Sequence, residues 1–281
     1  MRVSWLVLPF TAGPALAAAL DPRSGPVRLT ASALLWVGWA VALGASLVPR
    51  SVSLTLLRAA APAALAAAVA AALAGHHASA ASIVGIATTA LAAGSALLPA
   101  TGDAFVDGSS YGPERRMTLR TPSALLLGPV EMMWVATIGG LLAGPLLLAG
   151  RQWAAGAVAL AVGLPSAALG LRSLHQLSRR WVVFVPAGFV LHDPLALAEP
   201  QLILRSGVRR LGPAEAGSQA VDLTGGALGL SLELALAEPV DLLRRSGRGP
   251  ATSESVTELL FTPARPAELL DEARRRRIPT G

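Results

Sequence analysis

The sequence predicts a membrane domain of about six transmembrane helices at residues 1–172, followed at residues 173–281 by a small β-rich α+β domain that ends in a helix. Residues 1–172 hold ten arginines and five acids, and between these charges lie several apolar stretches of bilayer-spanning length. Residues 173–281 hold thirteen arginines and twelve acids and contain no such stretch. This asymmetry indicates a multi-pass membrane protein with a soluble C-terminal domain.

Composition narrows the class of protein. The chain has no Cys, no Lys and no Asn, so all 23 basic residues are arginines. The lack of Cys excludes disulfides, thiolate metal sites and thiol nucleophiles. Abundant Ala, Gly, Pro and Arg without Lys or Asn indicate a GC-rich bacterial genome. The net charge of +6 arises mainly between the spans, which favours an effect of membrane orientation over nucleic-acid binding.

Apolar length places the spans, since a hydrocarbon core about 30 Å thick needs about 20 mostly apolar helical residues. The predicted spans are 3–20, 29–48, 59–75, 80–100, 123–150 and 153–171. The third and fourth are expected to form a helical hairpin joined at residues 75–77. The first span has an alternative interpretation as a cleavable signal peptide, because Arg2 and an apolar run precede Ala15-Leu16-Ala17. Cleavage would leave five spans.

Arginines at the span ends predict the orientation. With both termini in the cytoplasm, nine arginines lie inside and three outside, in agreement with the positive-inside rule. The inside set is Arg2, Arg50, Arg58, Arg115, Arg116, Arg120, Arg172, Arg179 and Arg180, and the outside set is Arg23, Arg28 and Arg151. We therefore expect a plasma-membrane protein with a cytoplasmic C-terminal domain.

Strand and helix signals follow in order along the tail. Residues 181–185 and 189–192 are rich in Val and Phe and flank Pro186-Ala187-Gly188, which predicts a hairpin. Further predicted strands are 202–205, 228–235, 240–244 and 256–261. A closing helix is predicted from Pro266, with acids in its early turns and Arg274–Arg277 at its end, the charge order that a helix dipole favours.

This order of elements resembles a known group of domains. A transmembrane hairpin, a strand hairpin flanked by arginines, short strands and one closing helix are similar to the membrane-tethered bacterial pleckstrin-homology-like domains. The whole chain also resembles actinobacterial multi-pass membrane proteins of unknown function, through Tyr111-Gly112-Pro113-Glu114-Arg115-Arg116 and Arg179-Arg180-Trp181-Val182-Val183-Phe184-Val185-Pro186. The resemblance implies a pleckstrin-homology-like barrel with a C-terminal helix and supplies no catalytic residues.

Glu131 is the main candidate within the apolar segments. An ionisable side chain in a membrane is expensive to bury, which makes it a functional suspect, with Arg120 or Arg58 as its expected partner. The alternative, which we favour, is that residues 132–150 span alone and that Glu131 lies at the interface after a lead-in broken by Pro129.

Other candidate sites are weaker. His76 and His77 are adjacent and would diverge on a helix, so no metal site is expected. Acids, arginines and the single Tyr in residues 101–122 form a connector that we expect to pack on the tail. Six arginines of the tail could form a basic face for anionic lipid head groups or a protein partner, although interleaved acids favour a plain solvated surface. They are Arg205, Arg209, Arg210, Arg244, Arg245 and Arg248.

Small residues recur in the last two predicted spans. Gly140 and Gly144 are four residues apart, and Gly156, Gly163 and Gly170 recur every seven residues. Small side chains allow helices to approach closely in lipid, so this pattern predicts packing of the last hairpin and leaves self-association open.

Three functions remain as hypotheses. We favour a non-enzymatic membrane-anchored docking or scaffold protein without a cofactor, whose cytoplasmic domain binds lipid or a protein. A transporter or channel with Glu131 as a coupling residue and the tail as a regulatory domain is the alternative. A membrane enzyme ranks last because the sequence shows no clustered carboxylates, metal-ligand set or nucleophile motif.

Overall fold

The computed structural model describes residues 2–75, 79–245 and 249–281. The chain divides into two compact units, Met1–Thr101 with Glu131–His175, and Gly102–Val130 with Gln176–Gly281. The predicted boundary at residue 172 therefore misses one segment. Gly102–Val130 belongs to the unit formed by the tail, which confirms that this connector packs on the tail.

Ten helices lie in the described residues. They are α1 (Arg2–Thr11), α2 (Gly13–Leu20), α3 (Gly25–Leu47), α4 (Ser51–Ala74), α5 (Ala80–Leu97), α6 (Pro99–Asp107), α7 (Ser123–Leu126), α8 (Pro129–Ala149), α9 (Trp153–Leu177) and α10 (Pro266–Arg275). Six helical segments are long and apolar enough to cross a membrane, namely α1 with α2, and α3, α4, α5, α8 and α9. This confirms the six predicted spans and indicates a multi-pass membrane protein.

Several span boundaries differ from the prediction, because backbone geometry ends a helix where hydropathy does not. The third span begins at Ser51 and includes Arg58, since a single long basic side chain need not interrupt a helix. The fourth ends at Leu97, because the residue before Pro99 is extended (Leu98 ψ 138°). The fifth begins at Pro129 rather than residue 123, and Gly128 before it has a φ of 135° that favours glycine.

Indole groups join helices within the first unit. Trp5 of α1 and Trp39 of α3 each donate their Nε1–H to the backbone carbonyl of the other, at 2.9 and 3.0 Å. Trp134 of α8 donates to the Ala59 carbonyl of α4 at 2.9 Å, three residues before Pro62. These bonds satisfy indole N–H groups that lipid could not.

Among the described residues of the second unit, eight strands build two sheets. The first sheet has the order β1 (Arg115–Thr118), β2 (Trp181–Val185), β3 (Gly188–His192) and β4 (Gln201–Leu204), and every pair is antiparallel. The strands of the second sheet are β5 (Val208–Pro213), β6 (Val221–Asp222), β7 (Leu232–Arg244) and β8 (Thr252–Phe261), in the order β5-β7-β8-β6. The β6–β8 pair is parallel.

The β1–β2 pair joins distant parts of the sequence. Arg116 pairs with Val183, and Thr118 pairs with Trp181. The two partners are separated along the chain by α8 and α9. Since both belong to one sheet, they lie on the same side of any membrane that α8 and α9 cross.

Two strands predicted in the second sheet are wrong. Residues 228–235 and 240–244 do not form separate strands, because β7 runs unbroken from Leu232 to Arg244. Its register with β8 shifts between Ala235 and Val240, and Pro239 lies in this irregular stretch, where a missing N–H is tolerated. Residues 228–231 form a loop instead, in which Gly229 has a φ of 119°.

The core of the second unit lies between the sheets and α10. Phe184, Phe189 and Leu191 of the first sheet and Phe261 of the second belong to one buried cluster. The closing helix was predicted correctly, and it adds Leu269, Leu270 and Ala273 to this cluster. The described strands form two sheets and not the closed barrel that the resemblance implies.

Candidate docking surface

A buried ion pair fixes the start of the second unit's tail segment. The guanidinium of Arg180 donates two hydrogen bonds to the Asp193 carboxylate, Nε to Oδ1 at 2.8 Å and Nη2 to Oδ2 at 2.6 Å. Both side chains are nearly inaccessible, at 3% and 1% exposed. Arg180 also donates to the Arg120 carbonyl, and Asp193 accepts the Leu195 N–H at 3.1 Å. Every charged atom is therefore partnered, as a buried pair requires.

This pair changes the interpretation of Arg180. The sequence placed it among the arginines that lie beside the inner leaflet, but a buried, bidentately paired guanidinium is not available to lipid. Sequence reasoning missed the pair because its members are separated by a hairpin whose register decides which residues meet. The ion pair instead joins β2 and β3 to Arg120, the residue that precedes the approach to α8.

Two carboxylates on α6 cover one edge of the first sheet. The N–H of Thr118 donates to Asp103 Oδ1 and that of Arg116 to Asp107 Oδ1, both at 2.8 Å. These N–H groups face away from β2, because Leu119 N–H donates to Arg180 O and alternate residues point to opposite sides. The i,i+4 spacing on the helix thus matches the two-residue spacing along β1. The acids of the connector have a structural role here.

Asp103 is the more deeply buried of the two acids. The Thr118 hydroxyl also donates to its Oδ1 at 2.6 Å, while Oδ2 accepts no hydrogen bond and lies 3.7 Å from Arg265. Burial raises the pKa of Asp103, against the hydrogen bonds from Thr118 and the charge of Arg265, which lower it.

The opposite edge of the first sheet lies open. β4 ends the strand order, and Arg205 N–H donates to Ala187 O, so by alternation the N–H and C=O groups of Leu202 and Leu204 face away from β3. Within residues 2–75, 79–245 and 249–281, the only hydrogen bond to these outward groups runs from the Gln201 side chain to the Leu202 carbonyl, at 3.3 Å. Both leucine side chains are exposed. An open edge beside apolar side chains is the geometry that accepts an added strand.

The five described arginines of the predicted basic face fall into two groups according to their hydrogen-bond partners. Arg210 and Arg244 are ion-paired with Glu233 and Glu254, both at 2.7 Å. Arg205, Arg209 and Arg245 donate to backbone carbonyls. Arg210 lies opposite Ala235, and Arg244 is nine residues further along β7, about 30 Å at a strand rise near 3.3 Å per residue. Arg248 lies outside the described residues. The structure therefore does not gather the five described arginines into one cluster.

Glu131 lies in the first turn of α8 and is exposed. This position agrees with the interfacial interpretation, because a carboxylate near a helix N-terminus interacts favourably with the helix dipole.

A polar contact between two spanning helices was not predicted from the sequence. Thr55 of α4 and His175 of α9 are hydrogen-bonded, Oγ1 to Nδ1, at 2.9 Å.

The histidines do not form a cluster in the described part of the chain. His76 and His77 lie outside it. The His192 ring stacks on Trp181 at 4.8 Å between centroids, and its Nδ1–H donates to the Arg179 carbonyl at 2.7 Å. Burial lowers the pKa of His192, against the effect of that hydrogen bond. Among the described residues, no group of three or more His, Cys, Asp or Glu could hold a metal ion.

The glycines of α8 and α9 form a close contact between the two helices. A Cβ placed on Gly140 would lie 2.2 Å from the Gly163 carbonyl oxygen, and one on Gly170 would lie 2.4 Å from Thr137 Oγ1. Gly144 and Gly156 face Leu160 and Leu148 with similarly little space. The prediction that small residues pack the last hairpin is confirmed.

Comparison with known proteins finds no matching family model, no matching curated protein and no matching solved structure. The fold defines the class as a multi-pass membrane protein whose β-rich unit is assembled from an interhelical segment and the C-terminal tail.

Proposed function

We propose that the protein is a non-enzymatic, membrane-anchored docking protein, and that β4 binds an extended segment of a protein partner. The open edge of β4 supports this proposal. Asp103 and Asp107 occupy the outward N–H groups of β1, whereas the corresponding groups of Leu202 and Leu204 remain available. A partner strand would pair with this backbone and place apolar side chains beside the two leucines.

The other parts of the proposal come from the sequence. Two four-stranded sheets and a closing helix support a pleckstrin-homology-like sandwich rather than a barrel. The nine-to-three arginine bias supports a cytoplasmic position in a bacterial plasma membrane. A protein partner is favoured over lipid head groups at the predicted arginines, because the five described ones already donate to carboxylates or carbonyls. Transport is less favoured, since Glu131 lies in the first turn of its helix.

Site-specific photo-crosslinking in native membranes tests the proposal. A photoreactive amino acid replaces Leu204 in the full chain, with the exposed Tyr111 as the control position. We expect a discrete crosslinked partner from position 204 and none from position 111. Equal crosslinking at both positions, or none at position 204, contradicts docking at β4.

A proline substitution then tests whether the partner adds as a strand. Leu202→Pro removes an outward N–H and leaves the bonds between β3 and β4, because the Leu202 N–H faces away from β3. Leu202→Ala shortens the side chain and keeps the N–H. Strand addition predicts that Leu202→Pro abolishes the crosslink and Leu202→Ala weakens it. A crosslink that survives Leu202→Pro refutes strand addition.

A further inference from the structure

Four exposed leucines lie on two segments of the second unit that contain no charged residue. Leu126 and Leu127 belong to residues 121–130, and Leu228 and Leu230 belong to residues 223–232. Leu127 is 85% exposed, Leu228 69% and Leu230 50%. Such side chains are costly to leave in water when they are grouped.

Direct contacts hold the two segments together. The Ser123 hydroxyl donates to the Gly226 carbonyl at 2.7 Å. A Cβ on Gly225 would lie 3.1 Å from Pro122, and one on Gly229 would lie 2.9 Å from Arg120 Nε. Gly225, Gly226 and Gly229 all have positive φ, so the 223–231 loop has a shape that other residues would strain.

The position of these segments in the chain indicates what lies next to them. Leu127 is two residues before Pro129, where the spanning helix α8 begins. Arg120 accepts a hydrogen bond at its carbonyl from Arg180, which is three residues after the last residue of α9. The 223–231 loop therefore packs against the end of the second unit at which the chain passes to and from two spanning helices.

We infer that Leu126, Leu127, Leu228 and Leu230 form a membrane-inserted patch, which lies in the boundary between head groups and acyl chains. Exposed Arg120 at its rim supplies a positive charge for anionic head groups, as in amphipathic segments that lie in a membrane surface. The patch attaches the second unit to lipid through a loop that is remote in sequence from every span. This inference does not depend on the proposed docking at β4.

Spin labels on the full-length protein in liposomes test the inference. The chain has no Cys, so single-cysteine variants Leu228→Cys and Leu230→Cys can be labelled specifically and reconstituted in phosphatidylcholine and phosphatidylglycerol. The readout is the accessibility of each label to oxygen, which partitions into lipid, and to a nickel chelate, which stays in water. Leu204→Cys is the matched control, because Leu204 is 52% exposed and pairs with Gly188, at the end of β3 away from the Trp181–His192 pair.

We expect oxygen accessibility to exceed nickel accessibility at positions 228 and 230, and the reverse at position 204. Labels at 228 and 230 that meet the nickel chelate as freely as the label at 204 overturn the inference. Labels that meet neither reagent indicate burial against another protein copy and also overturn it.

Discussion

The buried pair of Arg180 and Asp193 allows a quantitative test of what holds the second unit together. Asp193→Leu leaves a guanidinium that is 3% exposed without its counter-charge. Removing one partner of a buried ion pair costs about 3–5 kcal/mol, which is a large part of the roughly 5–15 kcal/mol by which a typical domain is stable. We expect Asp193→Leu and Arg180→Met each to lower the free energy of unfolding by this amount.

The double variant separates a paired charge from two independent contacts. In Arg180→Met with Asp193→Leu no charge is left buried, and the remaining loss is that of two hydrogen bonds, from Arg180 to the Arg120 carbonyl and from the Leu195 N–H to Asp193. At about 1 kcal/mol for each bond, the double variant loses about 2 kcal/mol, less than either single variant.

The assay uses the absence of Cys from the chain. Ala273→Cys places one thiol in the core of the second unit, where Ala273 is fully buried, and thiol labelling against urea concentration reports unfolding of that unit. Arg274→Met is the control, because its ion pair with Asp271 is exposed and should contribute at most about 1 kcal/mol. A double variant as unstable as the sum of the two single variants would refute the coupling.

Three further predictions follow from single sites. Gly140→Ala forces α8 and α9 apart and should lower the free energy of unfolding in detergent by about 1–3 kcal/mol. Gly139→Ala is the control, because the space around its Cβ is open, and it should be neutral or slightly stabilising. Equal effects of the two substitutions would contradict the packing. Burial raises the pKa of Asp103, so the folded chain binds the proton more tightly than the unfolded chain does. The free energy of unfolding therefore falls as the pH rises from 3.8 through the folded pKa. Asp103→Asn should remove this pH-dependent part of the stability, and an unchanged pH profile in that variant would contradict the prediction. In intact cells, Ser24→Cys should react with an impermeant thiol reagent, while Ser110→Cys should react only after permeabilisation; the opposite pattern would reverse the orientation.

Local signals were sufficient for the spans and for several elements of the tail. The apolar runs predicted all six long helices, and the hairpin of β2 and β3 follows from Val-rich runs around Pro186-Ala187-Gly188. Pro266, the early acids and the late arginines predicted α10. In each of these cases the residues that decide the structure are neighbours in the sequence, because helices and hairpins are closed by local hydrogen bonds.

The pairing of segments that are distant in the sequence could not be predicted from these local signals. β1 is four residues long and rich in arginine, and it becomes a strand because β2 and the carboxylates of α6 satisfy its backbone on both sides. The hydrophobic pattern is interrupted around Pro239, and the sequence therefore predicted two strands. The structure has the single strand β7, because a bulge accommodates the proline.

The sequence by itself determined that this is a multi-pass membrane protein with a β-rich tail, because hydropathy and charge act on each segment independently of its neighbours. The tertiary structure decided how that tail becomes a domain. It brought Arg115–Thr118 into the first sheet, buried Arg180 against Asp193, covered the edge of β1 and left that of β4 open. These outcomes depend on which distant segments come into contact. β1 and β2 pair although α8 and α9 separate them along the chain, and signals read from neighbouring residues do not show such a pairing.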